Sequence, residues 1–256
     1  MSLIELRQVS LEFPVYGMQA TSLKKELIRL TTGGVFGRSA KHDIVTIKAL
    51  KNINLRLEKG DKLGLIGHNG AGKSTLLRVL AKIYEPTGGA VIIRGAVSAL
   101  LDVMMGMNGE LTGYENIMLR GVLHGLTLRQ IKSIQAEIAE FTELGGYLVM
   151  PVRTYSAGMA LRLAFGVATS MTAEILVLDE VMDVGDAGFQ QKSTARIEAM
   201  IQDSHIVIMA SHDIDILSKN CNRLLVLEAG EIAFLGDIDQ GLKWYEYKMG
   251  ICAHAV

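Results

Sequence analysis

The residues best suited to chemistry lie between Leu63 and Thr75, which read LGLIGHNGAGKST. Gly67, His68, Asn69, Gly70, Ala71, Gly72, Lys73 and Ser74 follow the pattern G-x-x-x-x-G-K-S, and Thr75 comes next. The three glycines allow backbone angles that turn successive N–H groups onto one concave surface, where a side chain would block a phosphate. A helix expected over Ser74 to Lys82 opens at this loop, so its free amides and positive dipole end face the same anion. Lys73 is placed to reach the β- and γ-phosphates of a nucleotide, and Ser74 offers a hydroxyl to Mg²⁺. The alternative is a glycine-rich strand-to-helix turn with no ligand. The full match, directly after a strand expected at Lys62 to Ile66, sets it aside.

A second group stands further along. Ile175-Leu176-Val177-Leu178 is a continuous apolar run that ends in Asp179-Glu180. A central parallel strand covered on both faces has this character, and it carries Asp179 to the carboxyl edge of the sheet, where Mg²⁺ would sit beside the phosphate loop. Glu180 follows and can polarise a water for attack on the γ-phosphate. His212 ends the next expected strand, Ile206 to Ala210, and there can hydrogen-bond the γ-phosphate and hold the water in line.

The elements that must position these groups alternate in type. Leu3 to Val9 and Leu50 to Glu58 alternate apolar and polar residues, as strands with one buried face do, and Phe13 to Gly17 is expected to close the first. Thr21 to Leu30 has a helical stripe of Leu23, Leu27, Ile28 and Leu30, and Thr31 to Asp43 reads as a loop. Short strands are expected at Ala90 to Arg94 and Val97 to Leu101, and a helical period governs Thr112 to Glu143. Helices then follow at Ser156 to Ser170, 188–202 and 213–219, with strands near Leu224 to Leu227 and Glu231 to Phe234. Strands alternating with helices give an α/β chain with a mostly parallel sheet and right-handed crossovers. Trp244, Tyr245 and Tyr247 point to a packed terminal helix, against its own core or at a subunit interface.

Composition narrows the classes. The 256 residues carry 26 basic and 27 acidic side chains, so the net charge is −1, against the basic excess of a nucleic-acid binder. Cys221 and Cys252 stand far apart without a metal-ligand set, as reduced structural thiols do. Glu5 and Arg7 interrupt any leader-like apolar run, and no stretch reaches the ~18 apolar residues of a membrane span. Hydrophobic residues are nonetheless 49% of the chain and the mean hydropathy is +0.28, which fits a large core or apolar surface covered by partners.

Taken in order, the phosphate loop, a helical insert, Tyr155-Ser156-Ala157-Gly158-Met159 opening a helix, Asp179-Glu180, Asp183 and His212 resemble the ATP-binding subunit of ABC transporters. The resemblance spans nearly the whole chain. It implies a P-loop ATPase core with a mostly parallel sheet, an antiparallel β part and an inserted helical subdomain at about 105–160. Residues 1–256 would form one such domain, with an N-terminal insert at 17–48 and a C-terminal tail at 237–256. In that family two subunits face each other head to tail, ATP lying between one chain's phosphate loop and the other's signature residues, here Tyr155 to Met159. Asp183 takes the place of the family's D-loop aspartate. ATP and Mg²⁺ are the implied ligands, with Ser74 and Asp179 on the metal, Lys73 on the phosphates, and Glu180 and His212 at the attacking water.

Finer features are similar to the polysaccharide-exporting branch. They are Leu111-Thr112-Gly113-Tyr114-Glu115-Asn116, the Met159 and Arg162-Leu163-Ala164-Phe165 continuation of the signature, and Asp183 to Ala187 with Phe189 to Lys192. The long stretch between Phe13 and Leu50 is similar to subunits that export lipid-linked O-antigen or teichoic acid, capsule exporters usually being shorter there. With Val256 as the last residue, the C-terminal carbohydrate-binding domain of some O-antigen subunits is not expected here. The implied protein is a homodimeric ATPase, peripheral on the cytoplasmic face of a bacterial inner membrane, bound to a separate transmembrane permease that meets most of the cargo. A soluble ABC-type ATPase is the competing class.

Three positions depart from the family. Leu100 to Asn108 lacks the usual glutamine that senses Mg²⁺ and the water, leaving Asp102, as a candidate at the metal, and Asn108 as its polar residues beside Met104, Met105 and Met107. The usual signature, Leu-Ser-Gly-Gly-Gln, is here Tyr155-Ser156-Ala157-Gly158-Met159. For stacking on adenine, Phe13 and Tyr16 are the aromatic candidates, with a non-aromatic contact near His42 as the alternative.

Overall fold

The structure is a computed structural model that describes residues 2–15, 36–38, 45–171, 173–180 and 187–248. Tyr16, the helix expected at Thr21 to Leu30, His42, Asp183 and Cys252 lie outside the described residues. The chain forms two compact units. The first comprises Met1–Leu101, Glu174–Glu180 and His205–Val256, and the second Asp102–Ala173 and Val181–Ser204.

In the first unit, an antiparallel sheet has the order β2-β3-β1-β5, from β1 (Leu3–Val15), β2 (Phe36–Arg38), β3 (Val45–Glu58) and β5 (Gly88–Arg94). β1 runs six residues past its expected end, with Pro14 opposite Thr46. Its second neighbour, β5, pairs only as far as Ser10, so the N–H that proline lacks is not needed for a second ladder. Residues that alternate inward change phase along β1, from Ile4 and Leu6 to Val9 and Leu11. A bulge makes the change at Gln8, whose φ is 51°, and Asn52 (φ 49°) does the same in β3 between Leu50 and Ile53. The short strand β2 appears where a loop is expected, pairing with the otherwise open edge of β3.

The second sheet of this unit has the order β10-β9-β4-β8-β7-β6. β4 (Lys62–Ile66), β6 (Val97–Leu100), β7 (Ile175–Asp179), β8 (Ile206–Ala210) and β9 (Arg223–Glu228) run parallel, while β10 (Glu231–Asp237) returns antiparallel to β9. The turn between the last two, Ala229 (φ 48°) and Gly230 (φ 82°), has the two positive φ angles of a tight hairpin. β7 and β8 are apolar on both faces because both faces are covered, as their unbroken hydrophobic runs require. One core joins the two sheets and α1 (Lys73–Leu80), with Ile4, Leu57, Leu65, Leu76, Ile208 and Leu225 fully or almost fully buried. Asp213 accepts the N–H groups of Asp215 (2.8 Å) and Ile216 (3.2 Å) and so caps α6 (Ile214–Asn220). Along α7 (Ile238–Lys248), Trp244 stacks on Phe234 with ring centroids 5.8 Å apart, so this aromatic packs on its own unit, while Tyr247 is exposed.

In the second unit, α2 (Gly113–Leu123) and α3 (Leu128–Thr142) each begin with a reciprocal capping box, Thr112 with Glu115 and Thr127 with Gln130. Two 3₁₀ turns, Gly145–Val149 and Val152–Thr154, lead into α4 (Ala157–Thr169). Gly166 lets α4 approach α3 closely, since a Cβ there would lie 2.9 Å from the Thr142 methyl. Phe141, Phe165 and Phe189 pack against one another and bring α5 (Ala187–Asp203) into the same unit. Arg196 covers Phe141 from 4.7 Å and pairs with Glu137.

Two outcomes test this packing. Leu65→Ala, at a fully buried position of the central strand, is expected to cost about 2–5 kcal/mol in urea unfolding. Cys221 is buried and its thiol is pushed up to about 12 by desolvation. The native chain therefore keeps the proton that the unfolded chain releases near the ordinary thiol value of 9.0, so this contribution to stability is full below that pH and is lost as pH rises toward 12. In a Cys252→Ser background, Cys221 should resist alkylation at neutral pH until denaturant is added.

Candidate nucleotide-binding site

β4 delivers the chain into Gly67, and the loop ends where α1 begins at Lys73. Gly72 occupies the N-cap with φ 107°, no side chain caps the helix, and no acidic residue lies in its first turn. The first-turn amides are therefore left for an anion. The loop backbone also passes close to its neighbours. A Cβ on Gly67 (φ 154°) would lie 2.3 Å from the Leu227 carbonyl oxygen, and one on Gly72 would lie 2.8 Å from that of Ala49. Lys73 Nζ donates to the Gly67 carbonyl at 2.6 Å and the His68 carbonyl at 3.4 Å. Burial lowers its pKa, while the carboxylates of Glu180 and Asp179 act in the opposite direction.

The loop forms one wall of a cavity of about 650 Å³. His68, Asn69, Gly70, Gly72, Lys73, Ser74, Thr75, Asp179, Glu180 and His212 line it. The structure thus brings together, from residues more than a hundred positions apart, the groups singled out by spacing alone. Gly67 and Ala71 do not line the cavity. Gly67 supplies the carbonyl that holds Lys73, and Ala71 is buried beneath the loop. Adjacent parallel strands account for the acidic side, since Asp179 at the end of β7 is in register with Ala210 at the end of β8. Glu180 takes a left-handed conformation (φ 52°) and its N–H donates to the Ala210 carbonyl at 3.1 Å. Such a backbone angle in a glutamate is costly, and strain of this kind gathers at functional positions. The same turn brings Glu180 Oε1 to 2.9 Å from His212 Nε2, with both side chains more than half exposed. Ser74 and Asp179 present a hydroxyl and a carboxylate to the cavity, hard oxygen donors of the kind Mg²⁺ takes.

Ile47, Lys48, Ala49, Leu101, Ala229 and Gly230 complete the lining, and none of them was legible as a site residue. Only the Ala229-Gly230 turn has a local signal, and nothing local says that it faces the phosphate loop. Phe13 is not among the lining residues. Its ring meets Tyr84 edge-on at 5.5 Å and packs against the core.

The remaining candidates belong to the second unit. Ser156, Ala157 and Gly158 are exposed at the N-terminus of α4, and Ser156 Oγ accepts the Met159 N–H at 3.2 Å. A Cβ at Gly158 would meet nothing within 4 Å. The Tyr155 hydroxyl donates to the Tyr147 carbonyl at 2.6 Å. Asp102 accepts the Met104 N–H at 3.0 Å, and Asn108 accepts that of Glu110 at 2.9 Å. Met104 and Met105 are exposed.

The close approach at Gly72 makes a sharp expectation. Gly72→Val should abolish nucleotide binding, read by titration with a fluorescent ATP analogue, and should lower the midpoint of thermal unfolding, since the side chain meets the Ala49 carbonyl at a backbone angle that valine does not adopt.

Comparison with known proteins gives the family. Residues 50–183 match the family described as ABC transporter. The O-antigen export system ATP-binding protein RfbE of Yersinia enterocolitica is 47% identical over 232 residues, which cover 91% of this chain and 97% of that protein. The O-antigen export system ATP-binding protein RfbB of Myxococcus xanthus is 38% identical over 84% of this chain. The teichoic acids export ATP-binding protein TagH of Shouchella clausii is 36% identical over 77% of it. The matched region spans about half of each of these two relatives, 48% and 55%. Among solved structures, an ATP-binding subunit of an ABC transporter superposes with a TM-score of 0.68 at 18% identity, covering 99% of this chain and 95% of that one. A dimeric ATP-binding cassette bound to ADP and phosphate gives 0.65 at 20% identity, covering 92% and 98%. At such identities the structures speak for the fold, and the sequence matches for the family. The chain belongs to the ABC transporter family, as its ATP-binding ATPase subunit.

Proposed function

We propose that the chain powers export of a lipid-linked polysaccharide, O-antigen ahead of teichoic acid or capsule, working as a homodimer on the cytoplasmic face of a bacterial inner membrane. The observation that carries this reading is the match to the Yersinia O-antigen export protein along 97% of that protein's length. The teichoic acid exporters are less similar, at 36% identity or below. The net charge of −1 is without the basic excess that nucleic-acid binders usually carry.

In this reading the amides of Asn69, Gly70 and residues 72–75 and the Lys73 ammonium hold the β- and γ-phosphates. Ser74 and Asp179 would hold Mg²⁺, which when bound supplies charge neutralisation at the phosphates. Adenine rests on the aliphatic wall of Ile47 and Ala49, on the same rim as Lys48. Glu180 accepts the proton of the attacking water. That water oxygen forms the new bond to the γ-phosphorus as the bond to the bridging oxygen breaks, and ADP leaves. His212 is paired with Glu180 in the free chain and turns its Nε2 to a γ-phosphate oxygen when ATP enters. Ser156 and the exposed amides around Gly158 act on the nucleotide held by the opposite chain, and Asp183 acts at the same interface.

Coupling to a membrane partner has a surface to use. Met118, Leu119, Val122 and Leu123 are exposed along one side of α2, an apolar face suited to a transmembrane subunit, and Met104 and Met105 are exposed in the segment that precedes it. Among the described residues no helix is long and apolar enough to cross a membrane. ATP favours the closed arrangement of the two ATPase chains and hydrolysis releases it, which biases the attached permease between two states.

The test is ATP turnover by the purified chain, alone and with the membrane protein encoded beside it. Glu180→Gln should lower multiple-turnover hydrolysis at least ~100-fold and leave an ATP-bound dimer visible by size-exclusion chromatography. Wild-type turnover that ignores the membrane protein would count against the exporter reading, and unchanged turnover in the variant would remove Glu180 from the base role.

A further inference from the structure

The chain leading into Ser156 is held by a set of contacts within the second unit. Val152 donates its N–H to the Leu111 carbonyl and Arg153 its N–H to the Gly109 carbonyl, both at 2.9 Å, and Pro151 bridges Thr112 as a strand partner. The Arg153 guanidinium pairs with Glu110. Residues 151–153 are thus added edgewise to residues 109–112. That run is secured in turn by Asn116, which is completely buried. Its Nδ2 donates to the carbonyls of Asn108 and Thr112 at 2.9 Å and of Leu111 at 3.3 Å, and its Oδ1 accepts the Asn108 N–H at 2.8 Å.

Tyr155 closes the arrangement one residue before Ser156. Its hydroxyl donates to the Tyr147 carbonyl at 2.6 Å, and its ring meets the Tyr147 ring edge-on at 6.4 Å. The phenol oxygen also lies against Gly113, the first residue of α2, where a Cβ would come within 2.7 Å of it and 2.9 Å of Leu148. Burial raises the Tyr155 pKa, and the Gly113 backbone beside the phenol acts in the opposite direction. Gly113 is one of the positions at which a helix leaves its N–H without an internal partner, and the phenol that bonds the turn at Tyr147 stands beside it. A leucine at position 155 would fill similar volume with no donor or acceptor.

We infer that Tyr155 is a positioning residue for ATP turnover: its phenol ties the chain that carries Ser156 and Gly158 to the N-terminus of α2 and to Tyr147, and so fixes the direction in which α4 presents its first turn. The inference rests on the reading that Ser156 and Gly158 serve the opposite chain's nucleotide. Small displacements of a group that must meet a transferring phosphoryl are costly in rate, whereas the binding of nucleotide to a free chain uses the first unit alone.

The experiment compares Tyr155→Phe, Tyr155→Leu, Ser156→Ala and Gln135→Met in the full chain with its membrane partner. Gln135→Met removes a hydrogen bond of ordinary length, 3.1 Å to the Tyr114 carbonyl, in the same unit but between α3 and α2 rather than on the chain leading into Ser156. Tyr155→Phe and Tyr155→Leu are expected to lower kcat about three- to tenfold, the scale of one net hydrogen bond, with nucleotide affinity of the isolated chain unchanged. In a Glu180→Gln background they should also weaken the ATP-dependent dimer, and Gln135→Met should alter neither property. Full kcat in Tyr155→Phe, or an equal fall in Gln135→Met that follows its loss of thermal stability, would overturn the inference. Full kcat and an intact ATP-dependent dimer in Ser156→Ala would instead remove the signature reading, and the inference with it.

Discussion

The site depends on a backbone constraint at the phosphate loop. Its amides face a phosphate only if the chain turns within a few residues of β4 and passes against two neighbouring strands. The Leu227 carbonyl of β9 and the Ala49 carbonyl of β3 stand where side chains on Gly67 and Gly72 would otherwise project. Glycine meets this constraint twice over, through its left-handed angles and its lack of a Cβ. Because β9 belongs to the six-stranded sheet and β3 to the antiparallel one, the loop conformation requires both sheets of the first unit to be in place. The core they share with α1 is therefore also the support of the site.

Parallel strand order does the corresponding work for the acidic side. Brought into register, β7 and β8 end at Asp179 and Ala210, so the residues just beyond them, Glu180 and His212, emerge together at one edge of the sheet. The left-handed backbone of Glu180 then carries its carboxylate back to His212. Charge balance follows from the same placement. Lys73 loses hydration by burial, which lowers its pKa, while the two carboxylates act in the opposite direction, and its Nζ is held by the carbonyls of its own loop.

The second unit solves a different problem, the presentation of a helix end. Capping boxes at Thr112 and Thr127, the buried amide of Asn116 and the phenol of Tyr155 satisfy the polar groups that helix starts and tight turns leave open. The polar framework confines the path of residues 108–113 and 151–156, while Ile117, Ile138, Leu148 and Leu163 supply the apolar burial beneath it. The exposed face of α2 remains on the outside of this framework, apolar but structurally unoccupied by the described residues.

By itself the sequence determined what depends on local pattern. The phosphate loop, the buried strands that end in Asp179 and Ala210, and most helix spans were legible because glycine spacing, apolar runs and capping residues act within a few positions. The long-range partners were not. Bulges at Gln8 and Asn52 shifted the inward phase of β1 and β3, and a pairing edge on β3 made a strand of residues expected as loop. Ile47, Ala49 and Gly230 joined the cavity wall only because β3 and the β9–β10 turn pass the loop in space, and Phe13 was drawn to Tyr84 by the core instead. Tyr155 is a similar case: its type was visible, but its hydrogen-bond partner Tyr147 lies eight positions away in the chain and Gly113, which its phenol approaches, more than forty. Local propensity decides which elements form; tertiary packing decides which side chains from distant elements share a surface, because that depends on sheet order and register rather than on neighbouring residues.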